Sequence, residues 1–310
     1  MSLQILFSAQ PGIWDMWRAP LLAAFEREAL EVTLAQDLPP ETVDYILAAP
    51  NGPVTDFRPY KRCRAVMSLW AGVESFLPNE TLTQPLTRMV DPGLAQGMVE
   101  WVTGHVLRHH LGLDAQVKAS APHWDQTVPP LAGERPVTVL GLGELGAACA
   151  KALAGLGFPV TGWARRRKEL PGVQCLAGED ELAQALSRAQ ILVLLLPNTP
   201  ATENVINAES LGMLPKGAVI LNPGRGILIE ETALLAALDR GQIAHATLDT
   251  FRIEPLPGKH PFWHHPQITV TPHIASATRP QTAAQTLAAN IARHQLDKPL
   301  LHLVDRAQGY

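Results

Sequence analysis

The segment that most restricts the fold is Gly141-Leu142-Gly143-Glu144-Leu145-Gly146. This G-x-G-x-x-G hexapeptide lies between a strand-like run, Val137–Leu140, and a helix-like stretch, Glu144–Leu156, closed by Gly157. Each glycine has a physical task there. Gly141 permits the tight turn, Gly143 lets backbone approach a pyrophosphate, and Gly146 lets helix and strand pack closely. The helix N-terminus offers free N–H groups and a positive dipole end to the phosphates. The spacing alone is a weak signal, and a glycine-rich turn without a ligand is the alternative. The strand–turn–helix context is what marks a dinucleotide loop.

Strand-like and helix-like patterns alternate on both sides of this loop, which points to α/β architecture with parallel sheets covered by helices. Before it, Gln4–Ser8, Tyr45–Ala49 and Ala65–Leu69 read as strands, and Leu21–Leu30 has helical apolar spacing. Asp91-Pro92-Gly93 is a turn, with Asp91 placed to cap a helix that reaches about His110. Ala119–Pro136 reads as a crossing loop. After the glycine loop, Pro159–Trp163, Ile191–Leu196, Ala218–Leu221, Ala246–Leu248 and Ile268–Val270 read as strands, and Asp180–Ala189 and Glu230–Arg240 as helices. The expectation is two Rossmann-like or flavodoxin-like domains with doubly wound sheets and an active-site cleft between them. Residues 1–91 form the substrate-binding domain and 92–276 the dinucleotide-binding domain. Residues 277–310, with the helix Pro280–His294, return to the first.

Composition narrows the partners. A chain of 310 residues with 46% hydrophobic and 17% charged residues suits two globular domains. A net charge of -4 gives no basic face for nucleic acid. Cys63, Cys149 and Cys175 are odd in number, far apart and without C-x-x-C spacing, which argues against a disulfide framework or a zinc site and suits a reducing compartment. The apolar start, Met1–Phe7, lacks a basic flank and reads as a strand. No apolar run approaches the roughly 18 residues that span a membrane, so a cytoplasmic location is expected.

The end of the second strand of the dinucleotide unit selects the cofactor. An acid there would bind the ribose 2′-hydroxyl of NAD. This chain has Arg165-Arg166-Arg167-Lys168 instead, and no acid until Glu169. A carboxylate would repel a 2′-phosphate, whereas guanidinium groups pair with it. NADPH is therefore favoured, with NADH possible and a solvated basic turn as the alternative.

Three polar residues follow later strands, where ligands of such sheets bind. Arg225 follows Leu221-Asn222-Pro223-Gly224, Glu254 follows Asp249-Thr250-Phe251, and His273 follows Val270-Thr271-Pro272. A cation, an acid and an imidazole suit reduction of a keto acid. The cation holds the carboxylate and polarises the ketone, the imidazolium donates a proton, and the acid orients the imidazole. Singly, Arg225 could form an interdomain ion pair, Glu254 could shape a turn, and His273 could be a satisfied core histidine.

Gly141–Gly146, Asn222–Gly226, Asp249–Pro255 and Thr271-Pro272-His273-Ile274 together resemble the D-2-hydroxyacid dehydrogenase family. Leu195–Pro200, Pro171–Gln174 and Thr278-Arg279-Pro280 look most like its glyoxylate/hydroxypyruvate reductase A branch. The resemblance implies catalytic roles for Arg225, Glu254 and His273. It adds Glu144, Leu145, Pro197 and Asp249 to the cofactor-binding glycines and arginines. It also implies a small 2-keto acid substrate such as glyoxylate or hydroxypyruvate, and a homodimer. Leu69-Trp70-Ala71-Gly72 matches the family's substrate loop, with backbone N–H groups of Ala71 and Gly72 aimed at a carboxylate. Trp70 stands where the family often has Gly. Ala49 stands where relatives carry a tryptophan-bearing loop. Trp124 resembles the tryptophan that relatives insert into a partner's active site, and Arg279 is a second carboxylate-binding candidate. Trp70 and Trp124 also suit plain packing roles. His109 and His110, near a helix end, suit interaction with its dipole. A formate-dehydrogenase relationship is disfavoured because Glu254 stands where those proteins resemble Gln. A dinucleotide-sensing corepressor on the same fold is the alternative from a different class, as is a dehydrogenase for a bulkier substrate.

Overall fold

The computed structural model describes residues 2–117, 124 and 126–309. The chain divides into two compact units, Met1–Leu94 with Ala277–Tyr310, and Ala95–Ser276. Of the crossing loop expected over 119–136, residues 119–123 and 125 lie outside the described residues.

The first unit holds a five-stranded parallel sheet. Its strands are β1 (Leu3–Ser8), β2 (Val32–Ala35), β3 (Tyr45–Ala48), β4 (Ala65–Ser68) and β5 (Leu86–Thr87), ordered β2-β1-β3-β4-β5. Both β3 and β4 are buried throughout, as strands covered on two faces require. Phe7, Leu47 and Met67 face α1 (Trp14–Arg27) and the C-terminal helix Pro280–Gln295, packing with Leu21, Phe25, Leu287 and Ile291. Leu6, Ile46 and Val66 fill the opposite core with Phe57 and Leu82. Helix α1 begins at Trp14, earlier than its apolar spacing suggests, and runs through Pro20. A proline inside a helix removes a donor and normally reads as a boundary, which hid the first turns. The edge strands β2 and β5 also escape sequence reading, because four and two residues are too few to show a period.

The second unit, from Ala95, holds all but the first three residues of α2 (Pro92–His110), and then the short α3 (Leu113–Val117). The Asp91 carboxylate caps α2, accepting from the N–H groups of Gly93 (2.8 Å) and Leu94 (3.2 Å). There follow β6 (Val137–Leu140), α4 (Glu144–Gly155), β7 (Val160–Ala164), β8 (Val173–Ala177), α5 (Leu182–Leu186), β9 (Ile191–Leu194), α6 (Ala208–Met213), β10 (Ala218–Asn222), α7 (Glu231–Asp239), β11 (Ile243–Leu248) and β12 (Ile268–Val270). The seven strands are parallel and ordered β12-β11-β10-β9-β6-β7-β8. From β6 the chain winds outward one way, then restarts at β9 and winds the other. The order therefore reverses between β6 and β9, and their carboxyl ends border the crevice where such sheets bind ligands. Val137, Val139, Val193 and Leu221 pack on Val102 and Val106 of α2 and Leu153 of α4. Leu140, Leu194, Ile220 and Leu248 pack on Leu211, Leu234 and Leu238. The helix expected over Asp180–Ala189 is a 3₁₀ turn, Glu179–Glu181, followed by the single short α5. No helix among the described residues is long and apolar enough to cross a membrane.

The end of α2 is seated on β11 and β12 by polar contacts, not left to solvent. His109 Nε2 lies 3.0 Å from Thr247 Oγ1, Arg108 donates to Thr269 Oγ1 at 3.0 Å, and Asp114 holds Arg108 at 2.6 Å. His245 reaches the same Thr269 hydroxyl at 2.9 Å, and His110 packs edge-on against Phe158. His109 and His110 thus serve packing, where dipole interaction was expected. Burial, with His245 and Arg108 nearby, pushes His109 down to about 3, and burial also lowers His105. In the unfolded chain each returns to an ordinary value near 6.5. Below that pH the unfolded chain binds protons that the fold refuses. For His109 stability is accordingly full above pH 6.5 and falls as pH drops towards 3, by about 1.4 kcal/mol per pH unit, and His105 acts in the same direction. Urea midpoints measured between pH 7 and 4.5 will show this slope, and His109→Asn will reduce it.

Candidate active site

The glycine loop joins β6 to α4, and its geometry is imposed by close contacts. Gly141 has φ +101°, and a Cβ there would meet Leu195 O at 2.4 Å, in the loop after β9. A Cβ on Gly146 would lie 1.7 Å from Gly141 O, so α4 can start this close to the strand only with glycine. At Gly143 a Cβ would meet nothing within 4 Å. Gly143 and Glu144 are exposed, and no side chain caps α4. Open space above uncapped N–H groups fits a phosphate-bearing ligand. Leu142 is buried against β7, and a Cβ on Gly162 would strike its side chain at 2.7 Å.

The basic run after β7 divides by partner. Arg167 is exposed but paired within the protein: its Nη2 donates to both Glu181 oxygens at 2.6 Å, and its Nη1 donates to Cys175 O. The Ala177 N–H and Arg167 hold the Glu181 carboxyl below the usual carboxylate range. Lys168 Nζ donates to Leu142 O at 2.6 Å and so ties the run to the glycine loop. Arg165 and Arg166, exposed like Arg167, come directly after the strand. This donor set, with no acid at the strand end, fits a 2′-phosphate. Sequence reasoning did not separate the three arginines, because Glu181 lies fourteen residues away from Arg167 along the chain.

The loops after β10, β11 and β12 carry the three polar candidates. His273 Nδ1 lies 2.7 Å from Glu254 Oε2. A carboxylate only accepts, so Nδ1 carries the proton and Nε2 is left for a reacting group. The other Glu254 oxygen accepts the Phe251 N–H at 2.9 Å, which aims the carboxylate. Arg225 follows β10, where Asn222 Nδ2 donates to Arg225 O at 2.9 Å and Arg225 Nη1 donates to Gly224 O at 2.8 Å. A Cβ on Gly226 would sit 1.9 Å from Phe251 C, so this loop lies directly on the one bearing Glu254. Arg252, missed at the sequence level, fastens the same two loops by donating to Ile227 O (3.1 Å), Ile229 O (3.2 Å) and Asn204.

Asp249 sits beneath the histidine and is fully buried. Its carboxylate accepts from Thr271 Oγ1 (2.5 Å), Ile274 N (2.9 Å) and Ala275 N (3.0 Å), and its carbonyl accepts from His273 N (2.8 Å). His273 is held at φ +54°, a left-handed conformation that costs a non-glycine residue of order 1–3 kcal/mol. Asp249, expected among cofactor contacts, thus spends its carboxylate on the histidine loop. Pro197 follows β9, and its carbonyl accepts from Thr202 Oγ1 at 2.6 Å.

In the first unit the loop after β4 carries Trp70, Ala71 and Gly72. The buried Ser68 hydroxyl accepts Trp70 N–H (3.0 Å) and donates to Trp70 O (2.8 Å), making a tight turn, while the Trp70 side chain is partly exposed. Ala49 is buried after β3. Arg279 is exposed and occupies the cap position of the C-terminal helix. Trp124 is 89% exposed. Burial raises the Cys149 thiol to about 12, which suits the packing role its position suggests. His260 and His265 lie beside Glu231 and Asp239, each at 3.4 Å.

A doubly wound parallel sheet with a glycine loop at its switch point, and a histidine–carboxylate pair beyond neighbouring strands, defines a dinucleotide-dependent oxidoreductase. Residues 102–275 match the D-isomer specific 2-hydroxyacid dehydrogenase, NAD binding domain. The whole chain is similar to a D-isomer specific 2-hydroxyacid dehydrogenase from Xanthobacter autotrophicus Py2, solved with NADPH and MES, at 39% identity, full coverage of both chains and a TM-score of 0.92. It is also similar to an NADPH-dependent glyoxylate/hydroxypyruvate reductase from Sinorhizobium meliloti, solved with NADP and sulfate, at 31% identity, full coverage of both and a TM-score of 0.85. A probable 2-hydroxyacid dehydrogenase from Rhizobium etli CFN 42, with NADP, HEPES and L(+)-tartaric acid, matches at 30% identity, again over both full lengths, with a TM-score of 0.87. The chain belongs to the D-isomer specific 2-hydroxyacid dehydrogenase family and is an NAD(P)-dependent enzyme.

The Asp249 contacts carry a stability prediction. Hydrogen bonds to a charged group contribute about 1.5–3 kcal/mol each, and a buried donor left unpaired costs about 1–3 kcal/mol. Asp249→Asn turns an NH₂ towards one of the loop donors. It should lower the unfolding free energy by roughly 2–4 kcal/mol in chemical denaturation.

Proposed function

We propose that this enzyme uses NADPH to reduce a small 2-keto acid, of the glyoxylate and hydroxypyruvate type, to the 2-hydroxy acid. The observation that carries the reading is the 2.7 Å contact between His273 and Glu254, on a loop braced by Asp249 beside the Arg225 loop. NADPH held at the glycine loop and the basic strand end would supply the hydride for the carbonyl carbon. Arg225 holds the substrate carboxylate and polarises the carbonyl, in the fork geometry that guanidinium favours. Protonated His273 gives its Nε2 proton to the carbonyl oxygen, and Glu254 steadies the ring through Nδ1. The hydride from NADPH and the His273 proton would together complete the reduction, and the imidazole regains a proton from solvent. Backbone N–H groups of Ala71 and Gly72, with Arg279, are further carboxylate contacts, and Trp70 is a further substrate contact. The first unit is the substrate-binding domain and the second the cofactor-binding domain.

Arg165 and Arg166 take the 2′-phosphate, while Gly141, Gly143, Glu144, Leu145, Gly146 and Pro197 border the rest of the cofactor. Support comes from the basic strand end and from the NADPH and NADP held by two of the similar proteins. A homodimer working in the cytoplasm is part of this reading. Support for a second copy comes from the exposure of the apolar residues Val117, Trp124, Val128 and Leu131.

The test is loss of NADPH absorbance with glyoxylate and hydroxypyruvate. Turnover is expected, and His273→Asn should lower kcat by roughly 10²–10⁴-fold, the range for a lost general acid. A near-normal rate in that variant removes His273 from the mechanism. Replacing Arg165 and Arg166 with serine should raise the Kd for NADPH at least tenfold and leave that for NADH nearly unchanged. Equal losses for both cofactors would falsify the 2′-phosphate assignment.

A further inference from the structure

A cavity of about 450 Å³ opens beside the histidine–carboxylate pair, entirely within the second unit. Apart from Glu254 and His273 its walls are apolar: Phe251, Pro255, Leu256, Trp263, Val270 and Pro272. Trp263 holds the one further polar side-chain atom, and its Nε1 already donates to Pro257 O at 3.1 Å. The floor is firm. Phe251 is buried and stacks towards the buried Phe262 at 6.5 Å, while Leu256 and Val270 pack against the main core of the unit.

Glyoxylate has no side chain to place in such a space, and the hydroxyl of hydroxypyruvate would find no neutral polar side chain free to pair with it. A polar group buried without a partner is disfavoured, whereas apolar surface gains on entry. We infer that this cavity receives the side chain of the keto acid. The substrate range thus extends to 2-keto acids with branched apolar or aromatic side chains, with Trp263, Leu256 and Val270 setting that selectivity. The inference rests on the reductase reading and names a substrate class for it.

The discriminating measurement compares kcat/KM for 4-methyl-2-oxopentanoate and phenylpyruvate with that for pyruvate, under saturating NADPH, with glyoxylate as a fourth substrate. A well-fitted methylene in an apolar pocket is worth roughly tenfold or more. The branched acid should therefore exceed pyruvate by at least tenfold. Val270→Phe, which fills the cavity, should cut the branched-to-pyruvate ratio at least fivefold, and Trp263→Ala, which removes a wall, should do likewise if the first variant folds poorly. Calorimetry gives a readout independent of turnover: N-isobutyloxamate, an unreactive mimic, should bind the enzyme–NADPH complex at least tenfold more tightly than oxamate. Turnover of glyoxylate with pyruvate equal to or better than the branched acid overturns the inference and leaves the reductase reading standing. No turnover of any keto acid overturns both.

Discussion

The interior carboxylate of Asp249 is the contact on which the reactive end of the second sheet depends. It ends β11, has no access to solvent, and gathers a threonine hydroxyl and two amides from the loop after β12. An ionised group is costly to bury unless donors replace its water, and here three do. Those bonds, with the His273 N–H on the Asp249 carbonyl, hold a histidine in a conformation that it would not adopt alone. The ring is then presented to Glu254, whose other oxygen is anchored on Phe251 N–H. A chain of short hydrogen bonds thus runs from the buried end of the sheet to the exposed imidazole.

Backbone proximity does the corresponding work for the other loops. Gly141 and Gly146 let the glycine-rich turn, the start of α4 and the loop after β9 occupy the same small volume, and Gly226 does so for the loops bearing Arg225 and Glu254. Parallel sheets make this arrangement natural, because every strand ends on the same side and its loop meets its neighbours' loops. Arg252 and Lys168 then fasten loops that the glycines have brought close. The site is consequently built from short loops carried on rigid strands, the arrangement that best holds reacting groups in place.

Legibility in the sequence followed the range of each cause. The central strands, β6, β9 and β10, are continuous apolar runs, and their reading agrees with the structure because burial on both faces leaves no other composition. The Asp91 cap was equally legible, since it acts within three residues. Edge strands β2 and β8 were not: half-exposed, short segments share their composition with loops. The fate of Arg167 and the burial of His109 also lay out of reach, because Glu181 and Thr247 are their neighbours only in space.

By itself the sequence determined the dinucleotide loop, the basic strand end and the order of Arg225, Glu254 and His273 along successive strand ends. These are local features: glycine's steric freedom, a strand's apolar run and a residue's charge need no distant partner to be recognised. Only the tertiary structure decided that Arg167 pairs with Glu181, that Asp249 braces the histidine loop, and that residues 251–273 enclose an apolar cavity beside the imidazole. Cavities and buried hydrogen bonds arise where separate segments meet, and no periodicity along a single chain records that meeting.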